Sequence, residues 1–296
     1  MTEAEYLEAS SRYRALFERG MDDIRQSSAP SIQPELHRAM FYSIDVGGKR
    51  IRPCLLLSAC EALGGSVSDA LPFACALEMI HTYSLIHDDL PAVDNDDMRR
   101  GKPANHTVFG EGMAVFAGCG LLSLAVETMT DACIRAGRKN ELFALREIVS
   151  KSGAEGMLSG QAADLRSPGS SDEGLLHYIH RHKTADMLEA AVVAGAFIAG
   201  ADDDTLSSLR VYSQKLGLLF QITDDILDVC GDEKLMGKTL GKDAEEDKLT
   251  FVKLYGRDGA QKKAREASDE ALEALSGIEN GGYLAAAVHS ILSRSN

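Results

Sequence analysis

The sequence predicts an all-α fold, built as one large helical domain over residues 1–296. Three observations carry that expectation. Tryptophan is absent, aromatics make up only 6% of the chain, and the helix formers Ala, Leu, Glu and Met are abundant. Alternating β-branched and aromatic runs between turn residues, the mark of strands, are nearly missing. No Pro/Ser-rich spacer, low-complexity run or internal repeat divides the chain, so one core is expected rather than two.

The elements follow in order. Residues 2–28 place Tyr6, Leu7, Tyr13, Leu16 and Phe17 at helical spacing and predict one or two amphipathic helices. Pro34 and Glu35 open another, with Leu36, Met40 and Phe41 on its apolar side, and Gly47-Gly48 stops it. Pro53 then lies in the first turn of an apolar helix over 54–63. Lys49 and Arg52 therefore stand at a helix N-terminus, where backbone amides already favour anions. Gly64-Gly65 makes a turn, Ser68 or Asp69 can cap, and a helix from about residue 70 runs into the acidic stretch 80–94. On it His81, Ser84 and Asp88 share a face, with Tyr83 at its flank. Pro91 ends that helix, so irregular backbone presents Asp94. Asp88 and Asp89 oppose the helix macrodipole, a cost that a bound cation would offset.

Residues 105–112 read as a connection, followed by helices over about 113–135 and 139–164. The second carries Gly156-Met157-Leu158-Ser159-Gly160-Gln161, whose small residues admit a close neighbour. A loop at 167–171 leads to a helix with His177, His180, Arg181, His182, Lys183 and Thr184. No carboxylate or thiol set accompanies these histidines at zinc spacing, so they read as a solvated helix face. The Ala/Gly-rich run 190–201 is taken as the longest uncharged apolar stretch, too short to span a bilayer, and predicts a tightly packed core helix. Asp202-Asp203-Asp204 is an N-cap with acids that complement the dipole. The helix over 205–229 ends in a second acidic cluster, with Asp224 and Asp228 one turn apart and Asp225 beside them. A lysine-punctuated loop over 237–248 and amphipathic helices over 249–294 complete the chain.

A net charge of -14 argues against a nucleic-acid surface but permits a local basic pocket. The acidic, polar N-terminus shows no signal peptide, and no membrane insertion is expected. Six cysteines without Cys-x-x-Cys spacing read as free thiols, which predicts a cytoplasmic protein. Aspartate-rich clusters select hard, oxygen-loving cations over zinc. Neither EF-hand spacing nor a P-loop occurs.

Asp88-Asp89 and Asp94 followed by Arg99-Arg100-Gly101, together with Asp224-Asp225 and Asp228, resemble the two aspartate-rich motifs of the trans-prenyltransferases, or polyprenyl synthases. Gly-Gly-Lys-Arg-x-Arg-Pro over 47–53, Gly160-Gln161, His182-Lys183-Thr184 and Phe220-Gln221 fall in the family's order. The resemblance covers nearly all of the chain beyond residue 35. It is nearest to the bacterial farnesyl diphosphate synthases, with geranylgeranyl diphosphate synthases next.

That resemblance implies an isoprenoid-synthase-type bundle of about ten or more helices around a central cavity. It implies head-to-tail condensation of isopentenyl diphosphate with dimethylallyl or geranyl diphosphate to give farnesyl diphosphate. Three Mg2+ ions would accompany bound substrate, with Mn2+ as a substitute. Asp88, Asp89 and Asp94 would hold two and Asp224 the third, with Asp225, Asp228 and Asp243 in or behind the water shell. Arg99, Lys183 and Lys238 would hold the allylic diphosphate, with Thr184 and Gln221 near the allylic cation and Phe220 among the substrate-binding residues. Lys49, Arg52, His81 and Arg100 would bind the diphosphate of isopentenyl diphosphate, and Lys248 matches a further substrate-binding lysine. Tyr83, an aromatic five positions before Asp88, would close the cavity with Ser84 and stop growth at fifteen carbons. A homodimer is implied. One departure stands out: Gly118-Cys119-Gly120-Leu121-Leu122 replaces the usual Gly-Asp-Ala-Leu and would remove a polar core partner. The competing readings are a geranylgeranyl diphosphate synthase, a class I terpene cyclase and a non-catalytic modulatory subunit. A cyclase needs one diphosphate pocket rather than two, and a modulatory subunit need not keep both acidic clusters.

Overall fold

The computed structural model describes residues 1–230 and 249–295, so Lys238, Asp243 and Lys248 lie outside the described residues. α1 (Glu3–Ser28) is one continuous helix, opened by a reciprocal capping box between Thr2 and Glu5. α2 (Pro34–Asp45) begins at its proline, and Gln33 caps it through the Leu36 N–H at 2.7 Å. α3 (Ile51–Ala62) and α4 (Val67–Asp88) follow. The cap of α4 is Ser66 rather than Ser68 or Asp69: its hydroxyl accepts the Asp69 N–H at 3.3 Å.

A two-stranded antiparallel ribbon, β1 (Met98–Arg99) and β2 (Lys102–Pro103), interrupts the helices. The segment expected as a plain connection contains a short helix, α5 (Asn105–Phe109). Buried Asn105 pins it by donating to the Ala39 carbonyl at 2.9 Å and the Ser43 hydroxyl at 3.0 Å. After α6 (Glu111–Ala136), the single helix expected over 139–164 is two, α7 (Lys139–Ser152) and α8 (Met157–Asp164). The chain doubles back so tightly between them that a Cβ on Gly156 would lie 2.1 Å from the Lys151 carbonyl oxygen.

α9 (Glu173–Ile179) runs into a π-helical turn, His180–Ala185, and then α10 (Asp186–Ala199). Helical spacing alone does not distinguish that turn from the α-helix expected there. α11 (Asp203–Cys230), capped by Asp202 through the Thr205 N–H at 2.8 Å, then α12 (Phe251–Ala274) and α13 (Gly282–Leu292) complete the described bundle.

The buried apolar side chains form one cluster reaching from Tyr13 to Ile291. α10 is buried along almost its whole length against α3, α7 and α11. Its contact with α3 is close enough that a Cβ on Gly195 would sit 2.3 Å from the Leu56 carbonyl oxygen. The packed core helix is thus as anticipated, but the longest apolar stretch lies elsewhere. Among the described residues, α6 is the one helix long and apolar enough to cross a bilayer, and 33% of its most apolar stretch is buried here. Val115, Phe116, Val126 and Ile134 of α6 are exposed, as are Leu142, Phe143 and Val149 of α7. The π turn packs on α8 and α11, which brings its side chains toward the end of α4.

Candidate active site

A cavity of about 290 Å³ opens where these elements meet. His81, Tyr83, Ser84 and Asp88 of α4 line it, with Arg52 of α3, Gln161 of α8, and Lys183 and Thr184 of the π turn. Leu85, Val93, Met157, Leu158 and Leu165 supply apolar wall. Residues up to 132 positions apart in sequence (52 to 184) therefore face one space.

The acidic end of α4 is wrapped by its own loop. The Asp94 N–H donates to the Asp88 carbonyl at 2.9 Å and the Asp96 N–H to the Asp89 carbonyl at 3.1 Å, with Asn95 in the left-handed region. These bonds gather the carboxylates around the helix end. Burial pushes the Asp88 carboxyl up to about 6; Asp94 and Asp89 add repulsion, against the opposing pull of Lys183 and Arg99. Asp89 is buried and accepts from Arg99 Nε at 2.9 Å and from Nη2. Burial raises its carboxyl too, while Arg99 opposes that shift.

The ribbon turn distributes the two arginines. Arg100 and Gly101 both have positive φ, 52° and 74°, as a two-residue hairpin with matching twist requires. Arg99 reaches Asp89, while Arg100 Nη1 donates to the Gly47 carbonyl. A Cβ on Gly48 would lie 2.4 Å from Arg100 Nη1. Gly47-Gly48, read in sequence as a helix stop and as the start of the motif over 47–53, is also the seat of Arg100.

Two positions separate a packing arginine from a site arginine. Arg50 is buried over the Phe17 ring and donates to Glu78 and Glu18, each at 3.1 Å, and to the Ile44 carbonyl at 2.7 Å. Arg52 turns to the cavity, with Nη1 3.4 Å from His81 Nε2 and a buried Nε that has no partner among the described residues. Burial holds His81 well below the usual imidazole range, and Arg52, Arg100 and Arg99 reinforce the shift. The ring is therefore neutral and can accept from Arg52. Burial likewise lowers Arg52, Arg100 and Lys49. Cations gathered this closely, with one buried guanidinium N–H lacking an acceptor, suit an anionic ligand.

The second acidic cluster reaches the cavity through a relay of hydrogen bonds. Thr184 Oγ1 donates to Gln221 Oε1 at 3.0 Å, and Gln221 Nε2 donates to Asp225 Oδ1 at 2.9 Å. Asp225 Oδ2 accepts the Phe251 N–H at 2.8 Å, so this buried aspartate also fixes the start of α12. Asp228 is buried beside it. Asp224 accepts from Arg294 Nη2 at 3.2 Å, and the Arg294 guanidinium lies 5.5 Å from the centre of the Phe220 ring. Arg294 escaped the sequence reading because 70 positions separate it from its partner.

Neither Asp224 nor Lys49 lines the cavity that holds Asp88. Lys49 instead shares a second cavity, of about 210 Å³, with Arg14, Tyr283 and Arg294. The charge of Asp224 is nevertheless felt at both Arg52 and Lys49. Among the described residues, no three His, Cys, Asp or Glu side chains converge as a metal-binding group. The partners account for this: Asp89 faces Arg99, Asp224 faces Arg294, and Asp225 faces Gln221 and Phe251. The donor chemistry at the end of α4 still fits a hard divalent cation, since burial and clustered carboxylates make the ionised Asp88 unfavourable unless positive charge is supplied.

The histidines divide. His177 is partly exposed, as a solvated face predicts, but His180 is buried against Phe251 at 5.2 Å between ring centres. Burial lowers its imidazole to about 3. His182 Nδ1 lies 2.7 Å from buried Asp186. Between them Lys183 Nζ donates to Asp164 Oδ2 at 2.5 Å. The close neighbour anticipated at Gly160 is this turn, since a Cβ there would meet the Lys183 backbone nitrogen at 2.1 Å. Asp164, one helical turn after Gly160 on the same face, also escaped the sequence reading. The departure at Cys119 is corrected as well: its side chain is exposed, not a core position. The adjacent glycines are the packed ones, Gly118 against His87 and Gly120 against Met40.

Comparison with known proteins points to one family and one fold. The polyprenyl synthetase family model matches residues 33–288. The chain is 47% identical over 266 residues to a chloroplastic geranylgeranyl pyrophosphate synthase of Catharanthus roseus, covering 88% of this chain and 74% of that protein. It is 50% identical over 231 residues to a farnesyl diphosphate synthase of Geobacillus stearothermophilus, covering 77% and 78%. Among solved structures, a geranyltransferase from Legionella pneumophila superposes with a TM-score of 0.86 at 29% identity, over 99% of this chain and 98% of that one. An FPP/GFPP synthase from Zymomonas mobilis does so with a TM-score of 0.82 at 31% identity, over 96% and 99%.

Proposed function

Since this chain belongs to the polyprenyl synthetase family and is a short-chain trans-prenyl diphosphate synthase, we propose that it joins isopentenyl diphosphate head-to-tail to dimethylallyl or geranyl diphosphate and releases farnesyl diphosphate. One observation carries the two-substrate reading. A single cavity holds an acid–lysine pair, Asp88 and Lys183, and separately the Arg52 guanidinium with its neutral partner His81. A terpene cyclase would need only one such seat.

Asp88, Asp89, Asp94 and Asp224 would hold Mg2+, or Mn2+ in its place, with Asp225 and Asp228 behind them. When bound, such a cation neutralises charge on the diphosphate oxygens. The chain's own residues do the rest. Arg99 and Lys183 stabilise negative charge as the allylic carbon–oxygen bond breaks and its electrons leave with the diphosphate. Thr184 and Gln221 present oxygens near the allylic cation. Arg52, His81 and Arg100 hold isopentenyl diphosphate so that its double bond attacks the allylic carbon, with Lys49 supplying charge from the neighbouring cavity. Loss of a proton to the departed diphosphate restores neutrality, and Met157, Leu158 and Leu165 keep water from the cation.

Purified protein incubated with Mg2+, isopentenyl diphosphate and either allylic starter should consume both substrates, and chelation should stop it. Consumption of the allylic substrate alone would indicate a cyclase, and no turnover a modulatory subunit. Product length separates the second reading: similarity to geranylgeranyl pyrophosphate synthases favours twenty carbons, whereas buried Tyr83 in the cavity wall favours fifteen. Arg52→Met is expected to raise KM for isopentenyl diphosphate roughly 10- to 100-fold, the worth of a charge-assisted phosphate contact. KM for the allylic substrate should change little, and equal changes in both would count against the assignment.

The working unit we propose is a cytoplasmic homodimer of one-domain chains. The exposed apolar residues of α6 and α7 offer a face for the second copy, and free thiols suit a reducing compartment. Sedimentation should give twice the 31.8 kDa chain mass.

A further inference from the structure

Lys183 stands between two carboxylates. Its ammonium donates to Asp164 Oδ2 at 2.5 Å, and the lysine lines the same cavity as Asp88. Asp164 is itself fixed at the end of α8, where the Ser167 N–H and hydroxyl both donate to its carbonyl, at 3.0 and 2.8 Å. The lysine backbone is equally constrained. It sits on a π turn pressed against Gly160, and His182 beside it lies 2.7 Å from buried Asp186, which also accepts from Lys151 at 2.8 Å. Backbone and side chain of Lys183 are thus both held against α8, and among the described residues Asp164 is the hydrogen-bond partner of the ammonium.

We propose that Asp164 is a positioning residue for the prenyl-transfer reaction. It keeps the Lys183 ammonium off Asp88 before substrate arrives and aims it at the allylic diphosphate afterwards. The inference rests on the two-substrate reading above. With Asp164 neutral, the carboxylate that lines the cavity with Lys183, among the described residues, is Asp88. The lysine then competes at the acidic end of α4 for the site of the divalent cation. Arg52 and His81 line the same cavity but pair with each other, and among the described residues no hydrogen bond ties them to Lys183 or Asp164.

Asp164→Asn should weaken binding of inorganic pyrophosphate with Mg2+, measured by calorimetry, by roughly 10- to 100-fold, and raise KM for the allylic substrate similarly. KM for isopentenyl diphosphate should stay within about twofold of the parent, inside the scatter of a contact left intact. Asp164→Glu should restore most of the binding. In a Lys183→Ala background, Asp164→Asn should have no further effect on pyrophosphate affinity, because the carboxylate acts through the lysine. Persistence of the defect in that background, equal rises in both KM values, or an Asp164→Asn protein that binds like the parent would overturn the proposal. If the unmodified protein does not bind magnesium pyrophosphate at all, the two-substrate reading fails and takes this inference with it.

Discussion

Asp88→Asn is expected to cut turnover by at least about a thousandfold, the scale of removing one preorganised stabilising group from a transition state. The substitution keeps the shape of the side chain and deletes the negative charge that the end of α4 concentrates. Steady-state assays with both substrates would show the loss, and turnover within tenfold of the parent would refute the role. The same variant should be more stable without metal. The folded-state carboxyl of Asp88 is raised to about 6 from an unfolded value near 3.8. Its ionisation therefore costs folding free energy as pH rises from about 4, and the cost is fully developed above about 6. Below the unfolded value the cost vanishes. Asparagine removes it, on the order of 1–2 kcal/mol after allowance for the solvent that reaches the group. Thermal melts in chelator should show Asp88→Asn ahead of the parent at pH 7 and level with it at pH 3.5, and a gap that does not shrink on acidification would contradict the shift.

Tyr83→Ala should lengthen the product by one or more five-carbon units. Tyr83 is only 4% exposed, lies edge-on to His87 at 5.7 Å and forms part of the cavity wall. It stands five residues, roughly 7.5 Å along the helix axis, before Asp88. A chain anchored by its diphosphate at Asp88 and growing away from it meets that ring, and alanine leaves a void in its place. Chromatography of the dephosphorylated products would show the shift. An unchanged distribution would mean that another side chain closes the cavity.

How much was legible beforehand differs between helices and turns. Periodicity and breakers placed α1 through α4 and the two acidic clusters because an amphipathic helix writes its buried face into three or four consecutive turns. The break between α7 and α8 was not legible: Gly153 and Gly156 sit within a stretch whose apolar spacing continues across them. Nor was the π turn, since one extra residue per turn leaves no mark in composition. The second acidic cluster was readable as carboxylates, but not that Asp225 would fix the start of α12 or that Arg294 would meet Asp224. Those partners come from segments far along the chain, and local spacing says nothing about them.

From the sequence alone came the all-α class, the order of the motifs, and the kinds of charge that had to be accommodated, because residue type and spacing fix which face of a helix is apolar and where it must stop. Only the tertiary structure decided that Arg50 is buried over Phe17, that Arg100 rests on Gly48, and that Asp164 holds Lys183. Each of those choices depends on which helices pack together and at what distance. A charge's partner is settled by burial and proximity in the assembled core, where an unpaired ion is costly, and not by its neighbours along the chain.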